Sequence, residues 1–183
     1  MIKNKYKSEY KASTRLTPGG KMVQDYYYIG EYYCLPLNEQ QKKKAKVSNL
    51  LFGLTMLLLT LTAGMMNPDS SRTLWIVLPY MCILLPCAYM LLGVWNFWDA
   101  PVRMEHSVYN ASVVRMQRSC WGVIIVALIN IVLDIVFILV YNSEINIIKE
   151  SLYCLVLAAV VFTGIGFGKF YDRTYVPVTM EQN

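Results

Sequence analysis

The sequence is poor in the residues that carry most enzyme chemistry. A single histidine, His106, occurs in 183 residues, and it is not accompanied by a Gly-rich phosphate loop, a nucleophile elbow or metal-ligand spacing. The five cysteines form no C-x-x-C pair, which predicts reduced thiols rather than a disulfide framework or a metal site. We therefore expect a protein that is not an enzyme, uses no cofactor or metal, binds no nucleic acid and has His106 as a solvated loop residue.

Charge is also scarce over most of the chain. Apolar residues make up 56% of the sequence, and four long apolar stretches contain one formal charge between them, that of Asp134. Each stretch is near the roughly 20 residues that cross about 30 Å of hydrocarbon. The sequence therefore predicts an all-α integral membrane protein with transmembrane helices at 47–66, 74–95, 120–141 and 152–168.

Basic residues are distributed unevenly between the segments that join these helices. Fifteen of the 17 Lys and Arg residues lie in residues 1–46, in residues 96–119 and after residue 168, whereas the two remaining connections carry only Arg72 and Lys149. Cytoplasmic loops retain basic residues. We therefore expect a multi-pass protein of the plasma membrane with both termini cytoplasmic, and the short outer loops favour a bacterial membrane.

One motif occurs twice. GVWNFWDAPVRME ends the second apolar stretch and GFGKFYDRTYVPVTME ends the fourth, so the chain reads as two tandemly duplicated helical hairpins. Each copy predicts a chain that leaves its helix, turns at proline and lies extended along the cytoplasmic face. Its glutamate is expected to be first a charge partner of nearby Arg or Lys side chains and second a docking edge for another protein. The shared positions are Gly93, Phe97, Asp99, Pro101 and Glu105 in the first copy and Gly166, Phe170, Asp172, Pro177 and Glu181 in the second.

These features divide the chain into four parts. Residues 1–46 form a cytoplasmic segment rich in Tyr and Lys, residues 47–106 the first hairpin, residues 107–119 a cytoplasmic linker and residues 120–183 the second hairpin. Within the first part, Pro18-Gly19-Gly20 marks a turn. The strand-like composition on both sides of it permits a β-hairpin, although a disordered tail is an equally open alternative.

Asp134 and Asn130 are the costly polar residues of the third helix, where they lie one turn apart on one face. A carboxylate near the centre of a membrane helix costs on the order of 3 kcal/mol, so Asp134 should face the bundle interior or a subunit contact. Three roles remain open. Asp134 could be a proton or cation site, it could bind a polar group on a partner's helix, or it could accept a hydrogen bond from another helix, with Thr60, Thr62, Tyr80 and Thr163 as candidate donors.

Three further features have an ordinary structural explanation beside a functional one. Pro79 and Pro86 should kink the second helix and free carbonyl groups, which neighbouring helices can satisfy or a ligand can use. Gly164 and Gly168 have the spacing that allows close helix approach, within the chain or in a dimer. A cluster of lysines precedes the first helix and either fixes the orientation or binds anionic lipid headgroups; it comprises Lys42, Lys43, Lys44 and Lys46.

Two functions are consistent with this pattern. The first is a non-enzymatic accessory or assembly subunit of a larger membrane complex, with a membrane protein as its partner. The second is a small homodimeric transporter or channel that uses Asp134 as a proton or cation site. The duplication favours the second function, whereas the thin inventory of polar residues in the helices favours the first.

Overall fold

The computed structural model of the protein describes residues 4–16, 22–141 and 145–181. Most of these residues are helical. As the sequence predicts, four helical segments in the described chain are long and apolar enough to cross a membrane. The helices are α1 Glu39–Met65, α2 Leu74–Asp99, the short α3 His106–Tyr109, α4 Arg115–Tyr141 and α5 Ile147–Tyr175. A π-helical turn, Asn110–Val114, joins α3 to α4, so the third long segment begins at His106.

Short strands lie outside the helices, together with 3-10 turns at Asn4–Glu9 and Asp69–Arg72. The described strands are β1 Tyr10–Leu16, β2 Met22–Tyr28, β3 Tyr32–Cys34, β4 Arg103–Glu105 and β5 Thr179–Glu181. β1 pairs antiparallel with β2, with Tyr10 opposite Tyr28. The turn expected at Pro18-Gly19-Gly20 lies outside the described residues. The fold class is therefore mostly helical with two small sheets, rather than purely helical.

The four long helices form a closed ring. α1 packs against α2 and α5, and α4 packs against the same two helices. The interior is filled by large apolar side chains, while leucine and aromatic side chains cover much of the outer surface, and such an apolar exterior fits lipid rather than water. The interior includes Met56, Ile83, Met90, Phe97, Met116, Leu157 and Phe167.

The helices are longer than the apolar stretches that predict them. α1 begins at Glu39, because Asn38 and Gln41 form a reciprocal capping box, so the lysine cluster lies on its first turns. α5 begins at Ile147, where the Asn146 side chain accepts the Lys149 N–H, and it continues past Gly168 to Tyr175. α2 continues as one helix through Pro79 and Pro86.

Candidate functional site

Two carboxyl side chains are buried together near one end of the ring. Asp134 of α4 and Glu150 of α5 are both 0% exposed, and the two carboxyl groups are close enough to interact electrostatically. Ser70, from the 3-10 turn between α1 and α2, is also buried and contacts Glu150 through its backbone N–H. We call these three residues the carboxyl pocket, and the end of the bundle that holds them the loop end.

Each carboxyl group of the pocket has one hydrogen-bonded and one unpaired oxygen. The Cys154 thiol donates to Asp134 Oδ2 at 3.1 Å, and the Ser70 backbone N–H donates to Glu150 Oε1 at 3.1 Å. Asp134 Oδ1, Glu150 Oε2 and the Ser70 hydroxyl have no hydrogen-bond partner among the described residues. Because unpaired buried polar atoms are rare, a proton held between the two carboxyls would supply a missing donor.

None of the four side chains expected as hydrogen-bond donors to Asp134 donates to it. Thr60, Thr62 and Thr163 each donate to a carbonyl of their own helix, and the Tyr80 hydroxyl donates to the Thr60 carbonyl. A β-hydroxyl in a helix satisfies itself on the preceding turn, which leaves the thiol of Cys154 as the donor. Asn130 is buried, and its amide likewise donates to Val126 O of its own helix at 2.9 Å.

Sequence reasoning missed Glu150, which it placed in an outer loop. The helix in fact starts before it, and Glu150, Tyr153 and Leu157 are all buried on α5. This spacing is that of one helix face, and a helix start at the Asn146 cap would have revealed it. In the described part of the chain, no group of three or more His, Cys, Asp or Glu side chains is arranged to hold a metal ion.

The opposite end of the ring, which we call the sheet end, brings the two copies of the repeated motif together. β3 pairs antiparallel with β4 on one edge and with β5 on the other. Tyr32 lies opposite both Glu105 and Glu181, and Tyr33 lies opposite both Met104 and Met180. The extended conformation expected after Pro101 and after Pro177 is therefore present in both copies, and they occupy the two edges of one strand in the same register.

Equivalent motif residues differ in their packing. A Cβ atom on Gly93 would lie 2.7 Å from Met116 Cγ, whereas one on Gly166 would meet nothing closer than Phe52 at 3.6 Å. Phe97 is fully buried, whereas Phe170 is partly exposed. Asp99 and Asp172 are both exposed.

The two glycines of the small-residue motif also have different surroundings. A Cβ atom on Gly164 would lie 2.6 Å from Ile124 Cγ1, and the Gly164 carbonyl accepts the Cys120 thiol at 3.4 Å. A Cβ atom on Gly168 would meet nothing within 4 Å. Close approach at Gly164 is therefore internal, between α4 and α5.

His106 is built into an aromatic cluster and is not the solvated loop residue that the sequence suggested. Its Nδ1 lies 2.8 Å from Glu9 Oε1, and its ring stacks on Tyr33, which in turn stacks on Tyr109 at 4.6 Å. Glu105, expected beside Arg or Lys, accepts a hydrogen bond from the Tyr10 hydroxyl. Aromatic and hydrogen-bonding contacts therefore attach the base of the β1–β2 ribbon to the start of α3.

Tyr28 gives this attachment a pH dependence. Its hydroxyl donates to the Glu31 carbonyl at 2.9 Å and accepts the His106 N–H at 3.1 Å, and burial raises its pKa to about 12. The folded state favours the neutral phenol of Tyr28. The contribution of its hydroxyl to stability is therefore complete below pH 10 and is lost as the pH rises towards 12. In an absorbance titration of phenolate, Tyr28→Phe should remove the amplitude of one tyrosine from the transition near pH 12. Tyr26→Phe, at an exposed tyrosine of the same strand, should leave that transition in place; its loss in this control would contradict the assignment.

The lysines of the cluster have different environments on α1. Lys42 is buried, and the Lys46 ammonium lies 5.7 Å from the centre of the Trp98 ring. Lys43 is exposed, and Lys44 lines a shallow cleft with Arg173. The four lysines therefore do not share one environment.

The carboxyl pocket thus combines two buried carboxyl groups that each have an unpaired oxygen, and the sheet end combines a three-stranded sheet with stacked aromatic side chains. No family model, curated protein or solved structure matches this chain.

Proposed function

We propose that the chain is a non-enzymatic accessory or assembly subunit of a larger membrane complex, and that it docks a protein partner on its β1–β2 ribbon. The observation that supports this proposal is the exposure of the ribbon. From Met22 to Tyr27, every residue of β2 is exposed, although alternate residues of a strand point to opposite faces. Among the described residues, none therefore covers either face of this part of the ribbon.

The exposed ribbon carries large apolar and aromatic side chains. Met22 is 75% exposed, and Val23, Tyr26 and Tyr27 are also largely exposed. A two-stranded ribbon is marginally stable alone, and exposed apolar patches mark interaction sites. Since the contacts of Tyr10 and Tyr28 hold only its base, we infer that a cytoplasmic segment of a partner subunit covers the remainder.

Native mass determination of the gently solubilised protein tests this proposal. We expect a stoichiometric foreign subunit that is lost when Val23→Ser and Tyr26→Ser are combined, because both side chains are exposed and their removal does not disturb the core. Ile148→Ser, which removes an exposed apolar side chain at the loop end, should retain the partner. A clean homodimer would contradict the accessory role.

The carboxyl pocket supports a second candidate, a homodimeric transporter or channel that uses Asp134 as its proton or cation site. Buried ionisable residues in membrane helices mark ion and proton paths, and both Asp134 and Glu150 have an unpaired oxygen. In this case Asp134→Asn should abolish proton-coupled flux in proteoliposomes while the protein still inserts. Lys149→Ala, an exposed neighbour of the pocket, should leave flux unchanged; equal flux in Asp134→Asn and wild type would exclude this candidate.

Orientation and duplication belong to the same proposal. We propose that the cytoplasm of a bacterial cell contains both termini, the sheet end and the linker. We also propose that the two halves arose as a tandem repeat. The excess of basic residues supports the orientation, and the common register of β4 and β5 on β3 supports the repeat. A reporter fused after Asn183 should read as cytoplasmic, and an external reading would reverse the orientation.

A further inference from the structure

A basic groove lies between α2 and the start of α4, apart from both the carboxyl pocket and the ribbon. It encloses about 380 Å³, and its lining includes two arginines and no carboxylate. Arg115 and Arg118 are three residues apart on α4 and therefore lie on one helix face. The hydrogen-bonding side chains of Ser107, Asn110 and Ser119 also line the groove, together with the rings of Tyr89 and of Tyr6 from the turn that precedes β1.

The two arginines are available to a ligand. Neither forms an ion pair within residues 4–16, 22–141 and 145–181, and the Arg115 guanidinium lies 5.9 Å from the centre of the Tyr89 ring. This contact leaves the N–H groups of Arg115 unengaged while it restricts where the guanidinium can go. The planar fork of arginine matches phosphate oxygens in pairs, so the groove has the chemistry of a phosphate site.

The wall of the groove is held in place by an irregular helical turn. Asn110–Val114 is π-helical, and such turns occur frequently at functional sites. The Asn96 amide donates to the Ala111 carbonyl at 3.1 Å, and Gly93 allows α2 to approach the Ser112 carbonyl closely. The turn therefore directs Asn110 into the groove from a fixed backbone.

Tryptophans place the groove near the membrane surface. Trp95 on α2 is 76% exposed, and Trp121 on α4 is also exposed; both lie close in sequence to residues of the groove. Tryptophan is enriched at the boundary between hydrocarbon and headgroups. The opening of the groove is then at the depth of lipid phosphates.

We propose that this groove binds a phosphate group through Arg115 and Arg118, with Ser107, Asn110 and Ser119 as additional donors. The same chemistry would accept the headgroup of an anionic lipid or a soluble phosphate. The site is distinct from the lysine cluster of α1, and its occupation does not depend on which of the two proposed functions is correct.

The test uses the full chain in phosphatidylcholine nanodiscs that contain a small fraction of phosphatidic acid, with bound lipid measured by native mass spectrometry. Removing a basic residue near an anionic surface should weaken binding about fivefold. Arg115→Gln combined with Arg118→Gln should therefore weaken retention of phosphatidic acid about 25-fold. Arg72→Gln combined with Lys149→Gln removes the same charge from exposed positions at the loop end, far from the groove, and should change retention less than about twofold.

Two further experiments identify the source of the phosphate and the role of the planar arginine guanidinium. Inorganic phosphate that displaces phosphatidic acid would identify a soluble phosphate as an occupant, whereas retention in its presence would identify the lipid; both results support the site. Arg115→Lys with Arg118→Lys keeps the charge and loses the planar fork, so its binding should fall between wild type and the glutamine variant. The proposal is overturned if the double arginine-to-glutamine variant retains phosphatidic acid as wild type does, or if the loop-end control with Arg72→Gln and Lys149→Gln loses as much.

Discussion

Glu150→Ala should lower the free energy of unfolding by about 2 to 4 kcal/mol. The Glu150 carboxyl is fully buried and accepts the Ser70 N–H at 3.1 Å. Alanine leaves that N–H without an acceptor, at a cost of about 1 to 3 kcal/mol, and opens a cavity beside Asp134, which adds to the loss. Unfolding of the purified protein in mild detergent, followed by heating or by titration with a denaturing detergent, measures the effect.

Glu150→Gln should restore most of this stability, because glutamine has the same shape and both of its amide groups have a use. Its oxygen can accept the Ser70 N–H, and its amide can donate to Asp134 Oδ1, which has no partner in the native pocket. Asp134→Asn should be tolerated for the same reason, since its amide can donate to Glu150 Oε2. We expect both variants to lie within about 1 kcal/mol of wild type.

Lys149→Ala is the matched control, since it removes a charged side chain from the neighbouring, exposed position. Its effect should be below about 0.5 kcal/mol. If Glu150→Ala proves as stable as this control, the pocket does not hold the loop end together. The hydrogen bond from the Asn146 N–H to Asp69 Oδ2, at 3.1 Å, would still join the two loops.

The sequence predicted the four long apolar helices because each contains a long run of adjacent apolar residues. It did not predict their ends, since backbone hydrogen bonding continues through polar residues that hydropathy assigns to loops. Glu39 to Lys46 and Lys169 to Tyr175 are helical in this way. Hydropathy measures only the cost of leaving water, whereas a helix end is set by capping groups such as Asn38 and Asn146.

Of the carboxyl pocket, the sequence predicted Asp134 but not Ser70 or Glu150, for a related reason. Asp134 stands out as a lone charge in an apolar stretch, but its surroundings come from segments far apart in the chain. Ser70 and Glu150 both look like loop residues by local composition, and only the ring arrangement of the helices brings them to Asp134. The extended chain after Pro101 and Pro177 was expected, but its pairing with β3 was not, because that pairing is entirely long-range.

The repeated motif was found from the sequence, but the different packing of its two glycines was not. Gly93→Val should destabilise the chain by about 3 kcal/mol, the upper part of the range for overpacking. A Cβ atom there would lie 2.7 Å from Met116 Cγ and 3.2 Å from both Met116 N and the Ser112 carbonyl oxygen. Backbone atoms cannot move away as a flexible side chain can, so α2 would have to separate from the start of α4.

Gly166→Val, at the equivalent position of the second copy, is the matched control. Its Cβ atom would meet only Phe52, at an ordinary 3.6 Å, so the loss should remain below about 1 kcal/mol. Unfolding measurements on both variants under one condition give the difference directly. Equal losses would mean that α2 and α4 do not approach as closely as 2.7 Å implies. A large loss at Gly93 alone would show that the first copy carries a packing constraint that the second lacks. That constraint lies against Ser112 in the π-helical turn, so the same glycine would also hold the wall of the basic groove.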